Sequence, residues 1–191
     1  MRRRLARLAH RLAHQGMSGK RRRKTRAWLA RHRRDAFVRR AKQEGRRSRA
    51  AYKLIEMLDR FRIAVPRHAR IVDLGAAPGA WSEELARRAP EGVIVAVDLL
   101  PMPPIANVAF IQGDFEDPET QARIRAALQG EADLVVSDAA PNLSGVAAVD
   151  QARAMRLAES ALAFAASVLR PGGAFIVKTF RGEGWDAFVR A

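Results

Sequence analysis

Five short apolar runs of this chain end in charge. Asp73 closes RIVDL, Asp98 closes VIVAVD, Asp114 follows VAFIQ, Asp138 follows LVVS, and Lys178 follows AFIV. A single aspartate in such a place reads as a helix cap or a turn residue. Five charged residues at equivalent places read as a site, in which carboxylates accept hydrogen bonds from hydroxyls and favour a cation, and a lysine can move a proton. The loop after Asp73 runs Gly75-Ala-Ala-Pro-Gly79-Ala-Trp81, and its small side chains let a ligand approach the backbone. It lacks the G-x-G-x-x-G spacing of dinucleotide folds, and no G-K-[ST] follows, so a diphosphate cradle is not favoured. Asp98, about 20 residues on, is placed to hold both hydroxyls of a ribose. A nucleoside without a diphosphate, held by carboxylates, suggests S-adenosylmethionine, whose sulfonium favours acidic surroundings.

The elements that position these residues follow from periodicity. RIVDL (70–74), VIVAVDL (93–99), VAFIQ (108–112), DLVVSD (133–138) and GAFIVKTF (173–180) are five strand candidates. Helical segments lie before and between them: SRAAYKLIEMLDRF, WSEELARR, ETQARIRAALQ and AVDQARAMRLAESALAFAASVL, the last stopped by Pro171-Gly172-Gly173. Strands apolar on both faces and separated by helices predict an α/β fold, a mostly parallel sheet with helices on both faces. Its ligands bind at the carboxyl ends of the strands, where the charges collect.

Composition narrows the function classes. With 191 residues, 48% of them hydrophobic, the chain supports one α/β core. There is no cysteine, which excludes disulfides, thiolate metal sites and cysteine nucleophiles, and the four histidines make no metal site. No apolar run approaches a membrane span. The net charge of +15 is unevenly placed: residues 1–49 hold 20 Lys or Arg against Asp35 and Glu44, and the remainder holds 15 against 18 acids. Residues 1–45 therefore read as a basic, partly disordered arm and 46–191 as the folded domain. The arm is either a solvated tail or a polyanion-binding segment, since each phosphate neutralised releases counterions. Its excess of Arg over Lys suits phosphate recognition, and a genome-wide Arg and Ala bias would explain it equally. Residues 1–16 form an acid-free amphipathic stretch. They read as a segment that is not native, with Met17 the true start, or as a mitochondrial transit peptide. The expected setting is the bacterial cytoplasm.

RRSRAAYKL (46–54), VDLGAAPGAWS (72–82), VDLLPMPPI (97–105), FIQGDF (110–115), VSDAAPNLSG and VLRPGGAFIVKTFRGEG (168–184) together resemble the FtsJ/RrmJ family of 23S ribosomal RNA (uridine-2′-O)-methyltransferases. The match runs in order from about Met17 to the last residue. It implies a Rossmann-like, S-adenosylmethionine-dependent methyltransferase fold, acting as a monomer on 23S rRNA of the large ribosomal subunit or its precursor. The resemblance assigns Gly79, Trp81, Asp98, Asp114 and Asp138 to the cofactor, with Asp98 on its ribose and Asp114 near its adenine. It assigns Lys178 as proton acceptor, helped by Lys53 and Asp138. A poorly nucleophilic 2′-hydroxyl needs in-line placement and removal of its proton, which gives these roles a rationale.

The family's catalytic tetrad has a fourth member, a glutamate on a strand beyond Ala191, which Glu183 does not match. The last two strands of the fold likewise have no counterpart, so the sequence reads as a C-terminally truncated domain. Two other functions stand beside rRNA methylation: 2′-O-methylation of a tRNA or an mRNA cap, and a non-catalytic RNA-binding factor of ribosome assembly.

Overall fold

Side-chain alternation along the strands fixes what covers each face of the sheet. In the computed structural model, which describes Gln43, Gly45 and residues 47–190, five strands form one sheet. They are β1 (Arg70–Leu74), β2 (Val93–Asp98), β3 (Val108–Gln112), β4 (Ala132–Ser137) and β5 (Leu169–Val177), in the order β3-β2-β1-β4-β5. Every neighbouring pair is parallel. The helices are α1 (Ala50–Arg60), α2 (Ala80–Arg88), α3 (Pro118–Leu128), α4 (Ala147–Val168) and α5 (Trp185–Arg190). The chain divides into residues 1–44 and 45–191, and the basic arm expected over 1–45 falls almost wholly outside the described residues.

Ile71, Ile94, Leu134 and Val136 share one face, packed with Leu54 and Leu58 of α1 and Trp81 and Leu85 of α2. Val72, Leu74, Val95, Val97 and Val135 share the other, with Ile124 and Leu128 of α3 and Phe164 and Val168 of α4. β1 and β4 are therefore apolar on both faces, as helix-covered parallel strands must be. Each fully buried Leu or Ile here contributes about 1.5–3 kcal/mol, so the sheet is a stiff base for the residues at its ends.

The five expected strands and four expected helices all form, with ends shifted by a residue or two except in β5. The Pro171-Gly172-Gly173 stretch was expected to separate α4 from a strand beginning at 173. Instead α4 ends at Val168 and β5 begins at once at Leu169. The reason is a register shift between Ala132 and Leu134, which lets β5 bulge at Arg170–Gly173 while staying in the sheet. The short helix α5 had no sequence expectation. Among the described residues, no helix is long and apolar enough to cross a membrane.

Candidate active site

The strand order creates the crevice. From β1 the chain runs outward through β2 to β3, then returns to place β4 on the other side of β1. The loops leaving β1 and β4 diverge there, and parallel sheets bind ligands at such a switch point. Gly75 (φ 74°) lies so close to the loop after β4 that a Cβ would come within 2.6 Å of the Ala139 Cα. No other residue fits both that conformation and that contact. Beside it opens a cavity of about 610 Å³, whose lining includes Gly75, Asp98, Asp114, Phe115, Asp138 and Asn142.

Three of the expected site carboxylates thus line one cavity. Asp98 is the best fixed: Oδ2 accepts the Ala77 N–H at 2.8 Å and Oδ1 the Leu100 N–H at 2.8 Å. Each oxygen keeps acceptor capacity for a ligand hydroxyl. Asp114 is exposed at the outer end, its Oδ1 accepting the Glu116 N–H at 2.9 Å. Asp138 is joined to Lys178, whose ammonium bonds the Asp138 carboxylate and donates to its carbonyl oxygen at 3.0 Å. The pair forms because β4 and β5 are parallel neighbours: Lys178 N–H extends their ladder onto the Ser137 carbonyl at 2.9 Å.

Asp73 behaves differently. It is wholly buried; Oδ2 accepts from Ser82 Oγ at 2.6 Å, and Oδ1 has no partner. Burial pushes its carboxyl up to about 7, and Asp138 and Asp98 add to the rise, against the lowering effect of the Ser82 hydrogen bonds. Asp73, Asp98 and Asp138 therefore repel one another when charged, and a cation near them would relieve that repulsion.

The other expected residues sit apart from the cavity lining. Gly79 (φ 96°) caps α2 beneath Met102 and Ile105; a Cβ would meet the Met102 sulfur at 2.7 Å. Trp81 is buried in the core, its Nε1 donating to the Ala50 carbonyl at 2.9 Å, so its ring ties α1 to α2. Lys53 is exposed on α1. Among the described residues, no cluster of His, Cys, Asp or Glu could hold a metal ion.

Sequence reasoning missed the residues that tie the site together across long separations. The Arg47 guanidinium donates to the carbonyls of Pro103 (3.3 Å) and Pro104 (2.7 Å) and pairs with Glu83 of α2 at 3.7 Å. It thereby fixes the 101–105 loop over Gly79. Glu116 lines the cavity and is held by Ser160 Oγ at 2.7 Å and Arg156 at 3.2 Å. The available signals were weak: an Arg at the edge of a basic arm and an exposed Arg on a helix.

A parallel sheet with this strand order, a small-residue loop after β1 and an aspartate ending β2 define a Rossmann-like methyltransferase. Comparison with known proteins narrows that class. The model of the FtsJ-like methyltransferase family matches residues 46–191. Ribosomal RNA large subunit methyltransferase E of Stenotrophomonas maltophilia is 52% identical over 165 residues, covering 85% of this chain and 78% of the relative. The protein of that name from Methylobacillus flagellatus is 49% identical over 174 residues, covering 90% and 84%. A crystal structure of a ribosomal RNA methyltransferase from Plasmodium falciparum aligns with a TM-score of 0.68 at 31% identity, over 74% of this chain and 82% of that one. The chain belongs to the FtsJ-like methyltransferase family, and the resemblance carried by its six sequence blocks is borne out.

Proposed function

We propose that the protein transfers a methyl group from S-adenosylmethionine to the ribose 2′-hydroxyl of a uridine in 23S rRNA of the large ribosomal subunit. The observation that carries this reading is the Lys178–Asp138 pair at the edge of a carboxylate-lined crevice. The residues present fit the cofactor: Asp98 offers two anchored oxygens for ribose hydroxyls, and the carboxylates of Asp98, Asp114 and Asp138 along the cavity favour a cation. Bound there, S-adenosylmethionine supplies an electrophilic methyl group on a cationic sulfur.

The chain's own residues supply position and proton transfer. Asp98 and Asp114 hold the nucleoside end, and Gly75, Ala77 and the loop at Asp138 and Ala139 border the other. Lys178 takes up the proton of the attacking hydroxyl, and Asp138 holds the ammonium that results. Lys53, exposed on α1, assists Lys178 in taking up that proton. The basic arm over 1–45 binds RNA phosphates and adds sequence-independent affinity. The protein works as a monomer in the bacterial cytoplasm.

The test is transfer of labelled methyl from S-adenosylmethionine to undermethylated large subunits, free 23S rRNA, tRNA and capped mRNA. Incorporation at a uridine ribose of the large subunit supports the proposal. Transfer only to tRNA or cap replaces its substrate, and RNA binding without any transfer replaces it with an assembly factor.

A further inference from the structure

The loop that follows Lys178 is pinned on several sides. Gln151 Nε2, on α4, donates to the carbonyls of Phe180 (3.2 Å) and Glu183 (3.3 Å). Trp185 Nε1 donates to Thr179 Oγ1 at 3.0 Å. Gly182 lies against the Gln151 amide so closely that a Cβ would approach within 2.5 Å, so a side chain there would push that amide off the carbonyls it holds. In the middle of this anchored backbone the Phe180 ring is 51% exposed.

An exposed Phe alone means little, because folded proteins leave much apolar surface in water. Its placement gives it meaning. The Lys178 ammonium lies 6.0 Å from the ring centroid, so the ring flanks the group that meets the substrate's hydroxyl. That span is comparable with the separation between a ribose hydroxyl and the base on the same nucleotide. Among the described residues, the other large apolar side chains exposed on loops at this end of the sheet, Leu99, Leu100, Leu143 and Val146, are aliphatic and offer no flat face. Single-stranded or extruded bases are held on aromatic rings, and a ring whose loop is already fixed gives up little freedom when a base stacks on it.

We propose that Phe180 is the stacking platform for the base of the nucleotide whose ribose is methylated. The proposal rests on the RNA 2′-O-methyltransferase reading above and deepens it: the target nucleotide is bound out of its helix, with its base on Phe180 and its hydroxyl at Lys178. Stacking tolerates any base, so Phe180 positions the nucleotide and leaves identity to other contacts.

The experiment compares Phe180→Ala, Phe180→Leu and Phe180→Trp in the full chain. It measures the KM for RNA, single-turnover transfer at the mapped target, and S-adenosylmethionine affinity by calorimetry. Alanine and leucine are each expected to weaken use of RNA roughly ten- to a hundred-fold, tryptophan to restore it, and cofactor affinity to hold in all three. With a substrate abasic at the target position, the wild-type and Phe180→Ala proteins should become equivalent. Leucine performing like phenylalanine, or an alanine defect that persists on the abasic RNA, overturns the stacking role while leaving the methyltransferase reading intact. A wild-type protein that methylates no RNA overturns the function itself, and the stacking proposal with it.

Discussion

Lys178 and Asp138 are forty residues apart in sequence and bonded through both the carboxylate and the backbone carbonyl of Asp138. The contact follows from parallel pairing of β4 and β5, which brings the ends of the two strands side by side. A side chain held this way keeps its position whether or not a ligand is present.

Replacing Lys178 with alanine should therefore remove chemistry and leave binding. Loss of a positioned general base lowers rates by about 10²–10⁴-fold. Single-turnover methyl transfer should fall into that range while the Kd for S-adenosylmethionine and for RNA changes little. Near-normal single-turnover rates would assign the proton to water or Asp138.

Asp98→Ala should weaken S-adenosylmethionine binding by about 1–3 kcal/mol, through loss of charge-assisted hydrogen bonds to the ribose. It also frees the Ala77 and Leu100 N–H groups, so the loops after β1 and β2 lose a shared anchor. Calorimetry on folded protein checks the affinity; an unchanged Kd removes Asp98 from the site.

Asp73 makes stability depend on pH in an unusual direction. Its folded value is about 7 against an ordinary 3.8, so the folded state binds a proton that the unfolded chain has already released. Stability from this group is greatest below the unfolded value, declines as pH rises through the interval, and is lost above the folded value, a difference on the order of 4 kcal/mol. Asp73→Asn should flatten that decline and raise stability at about pH 8 without raising it at about pH 4. Urea unfolding across the interval measures it, and an unchanged slope would assign the proton elsewhere.

Trp81→Phe should destabilise the fold by about 0.5–1.5 kcal/mol, because it deletes the hydrogen bond to the Ala50 carbonyl that ties α1 to α2. Its buried ring lies off the cavity, so S-adenosylmethionine affinity should hold. A large loss of affinity in the folded variant would bring the indole itself into the cofactor site.

Deleting residues 17–45 should flatten the salt dependence of RNA binding and leave cofactor affinity unchanged, since log K falls with log salt in proportion to the phosphates neutralised. An identical slope with and without the segment would reduce it to a solvated tail.

The sheet was legible in the sequence because β1, β2 and β4 are buried on both faces and write themselves as unbroken apolar runs. Asp98, Asp114 and Asp138 were legible as a group because each ends or follows such a run. The start of β5 was not, since Pro171-Gly172-Gly173 reads as a stop and only the register shift against β4 keeps that stretch in the sheet. The raised pKa of Asp73 was hidden because it depends on total burial and on charges from β2 and β4. The Arg47 clamp was hidden too: its partners lie 36 to 57 residues away, and no local pattern marks them.

The strand order also sets a timetable for synthesis. β1, β2 and β3 leave the ribosome in sequence and can pair as they emerge, but one side of β1 waits for β4, which follows the whole of α3. Asp73 and Asp98 therefore exist as a half-formed cradle until Asp138 arrives, and Lys178 comes forty residues later still. Such long-range parallel pairing is slow to close. A nascent chain thus carries Asp73 and Asp98 well before it carries Lys178, and the pair of Lys178 with Asp138 can form only once β5 has cleared the exit tunnel and paired with β4.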